Sequence, residues 1–241
     1  MSLWIKICGN TRAEDALAAA EAGADAVGFV FAPSPRRADP RTVAAITPLL
    51  DGRIESIGVF VDLSADEIAR IVDQCALTGV QLHGGTDAIQ AESALAAAEN
   101  PESATKSAAT AKFLRARFGV DLRIVQVVHF DLQADAQLEA IAQDGLSDAA
   151  LIDTRVGQIV GGTGVPFDWQ SAARTIFASH QELRLIAAGG LRPENVKEAV
   201  NMLNPWGVDV SSGVESRPGI KDRGRVREFI RLARLASASP H

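Results

Sequence analysis

Eight short apolar runs recur along this 241-residue chain, separated by polar loops and by stretches rich in alanine and leucine. They fall at 4–8, 26–31, 56–61, 79–84, 123–129, 149–153, 184–188 and 207–211. The runs are nearly continuous rather than alternating, the pattern of parallel strands covered on both faces. Helical stretches follow at about 14–22, 42–50 and 65–76, the last opened by Ser64-Ala65-Asp66-Glu67, which reads as a capping box. Eight strand–helix units with no second domain predict α/β architecture, a single-domain (β/α)8 barrel of the TIM type, over 1–236. Residues 237–241 read as a frayed tail. The segment at about 85–120, between the fourth and fifth strands, is too long for one helix with tight loops. It reads as an insertion on the outside of the barrel, two helical pieces broken at Asn100-Pro101 that serve as padding.

Composition narrows the function. A net charge of −6 disfavours nucleic acid, which needs clustered Lys and Arg for phosphate contacts. No apolar run approaches the ~20 residues that span a bilayer, and no signal-like segment precedes the first strand, so a cytoplasmic protein is expected. The only two cysteines, Cys8 and Cys75, lie far apart without ligand-like histidine spacing, which predicts neither a zinc site nor a disulfide framework.

In a barrel the C-terminal ends of the strands converge on one mouth, and here they carry unusual chemistry. Cys8 ends the first strand, with Gly9 allowing a sharp turn beside it. Arg36 and Arg37 follow Pro33-Ser34-Pro35 after the second strand, either to grip a carboxylate bidentately or as solvated surface charge. Asp62 follows the third strand, His83 ends the fourth and Asp153 the sixth. Partial desolvation would raise the Asp153 pKa and suit it to act as an acid, although Asp153-Thr154 could instead cap the turn. Gly189-Gly190 after the seventh strand and Ser211-Ser212-Gly213 after the eighth lie where this fold commonly binds a phosphate. Gly161-Gly162-Thr163-Gly164 could add a third wall of backbone donors; tight turns are the bland alternative. Strand parity puts Lys6 and Cys8 on one face, and closure makes the first and eighth strands neighbours. An inward Lys6 is therefore expected to pair with Asp209 and to favour the Cys8 thiolate, unless the pair is purely structural.

Together these segments resemble the phosphoribosylanthranilate isomerases of tryptophan biosynthesis. The resemblance runs through Lys6-Ile7-Cys8-Gly9, Gly23-Ala24-Asp25-Ala26-Val27-Gly28-Phe29-Val30-Phe31, Gly58-Val59-Phe60-Val61 and Val80-Gln81-Leu82-His83-Gly84. It continues in Leu151-Ile152-Asp153-Thr154, Gly161-Gly162-Thr163-Gly164 with Phe167-Asp168-Trp169, Ala188-Gly189-Gly190-Leu191 with Pro193-Glu194-Asn195-Val196, and Val208-Asp209-Val210-Ser211-Ser212-Gly213-Val214-Glu215. Pro218-Gly219 and Lys221-Asp222 complete it, and only 85–120 stands clearly outside.

The resemblance implies an Amadori rearrangement of N-(5′-phosphoribosyl)anthranilate, with Cys8 as base and Asp153 as acid. It implies that Arg37, with Arg36 beside it, holds the anthranilate carboxylate. Gly162, Thr163, Gly164, Gly189, Gly190, Ser211, Ser212 and Gly213 would cradle the phosphate, and His83 and Asp209 would complete the substrate site. The implied partner is a small phosphosugar, with no metal or organic cofactor, in a monomer or homodimer. Gln126 departs from the family pattern, which usually has lysine there. The histidine-pathway isomerase performs the same rearrangement but usually with two aspartates, which disfavours it here. A phospho-ligand-binding pseudoenzyme is disfavoured by the presence of both Cys8 and Asp153.

Overall fold

The structure, a computed structural model, describes residues 2–83, 101–153 and 173–238. Eight strands close into a barrel in chain order: β1 (Trp4–Ile7), β2 (Ala26–Val30), β3 (Glu55–Val61), β4 (Gly79–His83), β5 (Arg123–His129), β6 (Ala149–Asp153), β7 (Leu185–Ala188) and β8 (Gly207–Val210). All neighbours are parallel, and the barrel shuts where β1 meets β8 in the register Trp4↔Gly207, Ile5↔Val208, Lys6↔Asp209, Ile7↔Val210. The continuous apolar runs are explained by two separate cores. Ile5, Ile7, Val27, Phe29, Val80, Leu82, Ile124 and Ile152 pack outward with the helices. Trp4, Ala26, Ile57, Val125, Leu151 and Ile186, at the opposite parity, fill the barrel.

The helices are α1 (Ala13–Glu21), α2 (Pro40–Ile46), α3 (Ala65–Cys75), α4 (Pro101–Phe118), α5 (Ala134–Asp144), α6 (Pro193–Leu203) and α7 (Arg223–Ser237). The capping box opens α3 as expected: the Ser64 hydroxyl accepts from the Glu67 N–H at 3.3 Å, and the Ser64 N–H donates to the Glu67 carboxylate at 3.0 Å. The single helix expected at 42–50 is instead α2 followed by a 3-10 turn, Thr47–Leu50. Pro48 has no N–H to continue the α-helical ladder, so the chain tightens there. Ser237 closes α7 rather than fraying, while 239–241 lie outside the described residues.

The largest revision concerns 85–120. Its later part is α4, whose Ala111 and Leu114 are completely buried. Arg115 ties this helix to the next unit, donating to the Leu146 carbonyl at 2.9 Å and to the Asp148 carboxylate at 2.8 Å. From Pro101 onward the segment is thus the connecting helix of its own barrel unit, not padding; 84–100 lie outside the described residues.

Three levels can be followed up the barrel interior. At the N-terminal end Trp4 stacks on Trp206 at 5.3 Å, with the Arg123 and Arg184 guanidinium groups over the Trp206 ring. Above it lies a polar level containing Lys6, Gln81 and Asp209. The strand-end residues Cys8, His83, Asp153 and Ser211 form the level above that, at the mouth.

Leu114→Ala should lower unfolding free energy by about 2–5 kcal/mol, as expected for a truncated core leucine. Denaturant titration checks this, and a loss under about 0.5 kcal/mol, the size of a surface change, would mean that α4 is an appendage.

Candidate active site

Cys8 extends the β1–β8 ladder by donating its N–H to the Val210 carbonyl at 2.8 Å. Gly9 then turns the chain with a φ of +75°. A Cβ there would stand 2.8 Å from Ser211 Oγ and 2.9 Å from Arg36 Cδ, so conformation and space both demand glycine. Asp153 is buried at the end of β6, and its register neighbours are His129 on β5 and Ala188 on β7. Alternation from Val125 and Val127 carries His129 to the same inward face. His129 was not singled out from sequence, although its place at a strand end was the available signal.

The expected pairing across the closing seam is present. Lys6, only 1% exposed, donates through Nζ to Asp209 Oδ1 at 3.0 Å and to Gln81 Oε1 at 2.8 Å. Gln81 Nε2 faces His83 Nε2 at 3.1 Å. Lysine only donates, so the Gln81 oxygen turns toward it and the amide N–H toward His83. In that arrangement His83 Nε2 accepts from the Gln81 amide.

The electrostatic expectation for Cys8 needs correction. Burial pushes the thiol above its ordinary pKa, and Asp209 acts in the same direction; Lys6 and Lys221 only partly pull it back. Sequence parity identified the cation but not the desolvation around it. Burial works to lower the Lys6 pKa, but Asp209 and Cys8 together hold it above the usual lysine value.

A second ionic cluster braces the rim. After β8 a 3-10 turn (Ser212–Val214) leads into a two-stranded ribbon, β9 (Glu215–Arg217) and β10 (Ile220–Lys221). Arg36 forks onto the buried Glu215, Nε to Oε1 at 2.9 Å and Nη2 to Oε2 at 2.7 Å. Lys221 donates to the same carboxylate at 3.0 Å and to the Ser211 carbonyl at 3.1 Å. Burial works against the Glu215 carboxylate, yet Arg36 and Lys221 hold its pKa below the usual range. Arg36 therefore acts as a strut, with its Nε–Nη2 edge committed to Glu215. Arg37 is exposed, and no carboxylate among the described residues pairs with it.

The loops after β7 and β8 meet backbone to backbone. A Cβ on Gly213 would fall 1.9 Å from the Leu191 carbonyl oxygen. Gly189 and Gly190 both take positive φ, and Asn195 ties their loop to the start of α6, donating to the Gly190 carbonyl and accepting from the Arg192 N–H. Gly162, Thr163 and Gly164 lie outside the described residues. Gln126 is turned away from the mouth: Ser107 of α4 donates to its Oε1, and its Nε2 donates to Ser147 Oγ. Among the described residues no three His, Cys, Asp or Glu side chains converge as a metal site requires.

A family model described as N-(5′-phosphoribosyl)anthranilate isomerase matches residues 5–110 and 108–232. The chain is 38% identical over 233 residues to the N-(5′-phosphoribosyl)anthranilate isomerase of Trichlorobacter lovleyi, covering 96% of this chain and 98% of that protein. Among solved structures it is similar to a phosphoribosylanthranilate isomerase in complex with reduced 1-(o-carboxyphenylamino)-1-deoxyribulose 5-phosphate. The TM-score there is 0.72 at 31% identity, over 96% of this chain and 98% of that one. It is also similar to monomers generated from the dimeric Thermotoga maritima enzyme, with a TM-score of 0.71 at 30% identity over 96% and 98% of the two chains.

The Cys8 ionisation can be isolated in a Cys75→Ser background, since Cys75 is the only other thiol and burial pushes it up to about 11. A raised pKa means a smaller thiolate fraction at neutral pH. Ultraviolet thiolate absorbance should therefore grow with a midpoint above the ordinary ~8.5; a midpoint below it would mean that the two lysines outweigh burial.

Proposed function

The chain belongs to the N-(5′-phosphoribosyl)anthranilate isomerase family, and from that premise we propose that Asp153 is the general acid and Cys8 the general base of its reaction. The enzyme catalyses the Amadori rearrangement of N-(5′-phosphoribosyl)anthranilate to 1-(o-carboxyphenylamino)-1-deoxyribulose 5-phosphate in tryptophan biosynthesis. The observation that carries the assignment is the burial of both groups at strand C-termini of one closed barrel, where its interior opens.

Asp153 gives its proton to the furanose ring oxygen. The C1′–O bond breaks as the anthranilate nitrogen lone pair forms C=N, leaving a protonated Schiff base. The Cys8 thiolate then removes the C2′ proton, and that electron pair makes the C1′=C2′ bond and neutralises the nitrogen. The resulting enolamine loses its hydroxyl proton and gains one at C1′, which delivers the ketose. The substrate's own imine is the electron sink, so the mechanism calls on no organic cofactor or metal.

Arg37, with its guanidinium uncommitted among the described residues, suits the anthranilate carboxylate. The phosphate is assigned to Gly189, Gly190, Ser211, Ser212 and Gly213, joined by Gly162, Thr163 and Gly164, and the sugar to His83 and Asp209. No described helix is long and apolar enough to cross a membrane. We place the enzyme in the cytoplasm as a monomer or homodimer, with 1–236 as its catalytic domain.

Asp153→Asn and Cys8→Ser should each lower kcat by on the order of 10²–10⁴. The assay is loss of anthranilate fluorescence with substrate generated in situ; more than about a tenth of wild-type kcat, well outside that range, would remove the residue from its role. Because Cys8 must be ionised and its pKa is raised, the rising limb of kcat/KM should lie on the alkaline side of an ordinary thiol. Arg37→Ala should raise KM by the equivalent of about 1.5–3 kcal/mol, the worth of a charged hydrogen bond, with an unchanged melting curve. Arg36→Ala should instead lower the melting temperature, and the reverse pattern would exchange their roles.

A further inference from the structure

Resting on the reading of Cys8 as the base, we propose that Lys6 is its positioning residue, a buried ammonium that holds the thiolate at the mouth and orients His83 through Gln81. A lysine ammonium has three N–H donors. Asp209 and Gln81 take two of them, and Cys8 is the third neighbour. Gly28 on β2 shows how closely thiol and lysine are packed. A Cβ there would stand 2.7 Å from Cys8 Sγ and 3.0 Å from Lys6 Cε, so the two side chains share the space that the glycine leaves.

Stability alone gives little reason for this arrangement. Replacing a buried ion pair with apolar residues of similar volume is often neutral or stabilising. A structural clasp between β1 and β8 would also need only Lys6 and Asp209, whereas the network runs on through Gln81 to His83. Among the described residues, the charged groups facing Cys8 are Lys6 on β1, Asp209 on β8, Lys221 on β10 and Arg36 over Gly9. Lys221 and Arg36 are both committed to Glu215, and Lys6 is the cation that lowers the Cys8 pKa most. The relay through Gln81 also fixes His83 with Nε2 as acceptor, so one cation sets the state of two groups at the mouth.

The test uses the full-length enzyme with Cys75→Ser, so that ultraviolet thiolate absorbance reports Cys8 alone. Lys6→Met should raise the Cys8 midpoint by about one pH unit or more, equivalent to a tenfold loss of thiolate. Its kcat/KM should fall about as far at neutral pH and recover as pH rises. Lys6→Arg keeps the positive charge and should hold the midpoint near that of the parent protein, a rescue that simple damage to the seam would not produce. A folded Lys6→Met with an unmoved midpoint overturns the proposal. If Lys6→Met does not fold, Lys6→Gln takes its place, and a folded Lys6→Gln with an unmoved midpoint overturns the proposal. Full activity in Cys8→Ser would overturn the base assignment and with it the catalytic meaning of Lys6. An inactive Cys8→Ser beside an unmoved midpoint would overturn the role of Lys6 alone.

Discussion

Everything at the mouth depends on the register in which β1 meets β8. Lys6 stands opposite Asp209, and Cys8 continues the same ladder to the Val210 carbonyl. A slip of one residue would turn Lys6 and Cys8 into the helix layer and bring Ile5 and Ile7 inside. Such a slip would bury an unpaired ammonium among outward apolar side chains, a change that costs several kcal/mol. The ion pair is thus weak evidence for overall stability but a strong selector of one closure over its neighbours.

The rim shows the same economy with a different partner. Glu215 is a single buried carboxylate that receives Arg36 from the loop after β2 and Lys221 from the ribbon after β8. Two chain segments far apart in sequence are thereby fixed relative to Gly9, whose turn lies beneath Arg36. The exposed Arg37 follows directly on a braced residue, so its backbone is held while its side chain stays available.

The barrel was legible because burial on both faces leaves a plain mark, continuous apolar runs, and because eight such runs leave few other architectures. The Lys6–Asp209 pair was legible for the same reason, parity plus closure. The helix at 101–118 was harder to read: its alanines and serines form no strong apolar stripe, so Ala111 and Leu114 did not stand out as core. Arg36 and Arg37 are adjacent on a loop, where no periodicity separates strut from ligand. The direction of the Cys8 shift depends on desolvation, which exists only once the barrel has closed. Gln126, which departs from the family pattern, shares parity with Ile124 and Val128 on the outward face.

The contact at Gly213 bears on how this molecule can change through descent. Because the backbones of two successive loops touch there, with no room for even a methyl group, neither loop can lengthen, tilt or exchange residues at that point without the other. Any change of residue at Gly213 therefore has to be matched by a shift of the backbone at Leu191. Divergence toward new ligands is left to segments free of that constraint, such as the outer rim beyond Arg37.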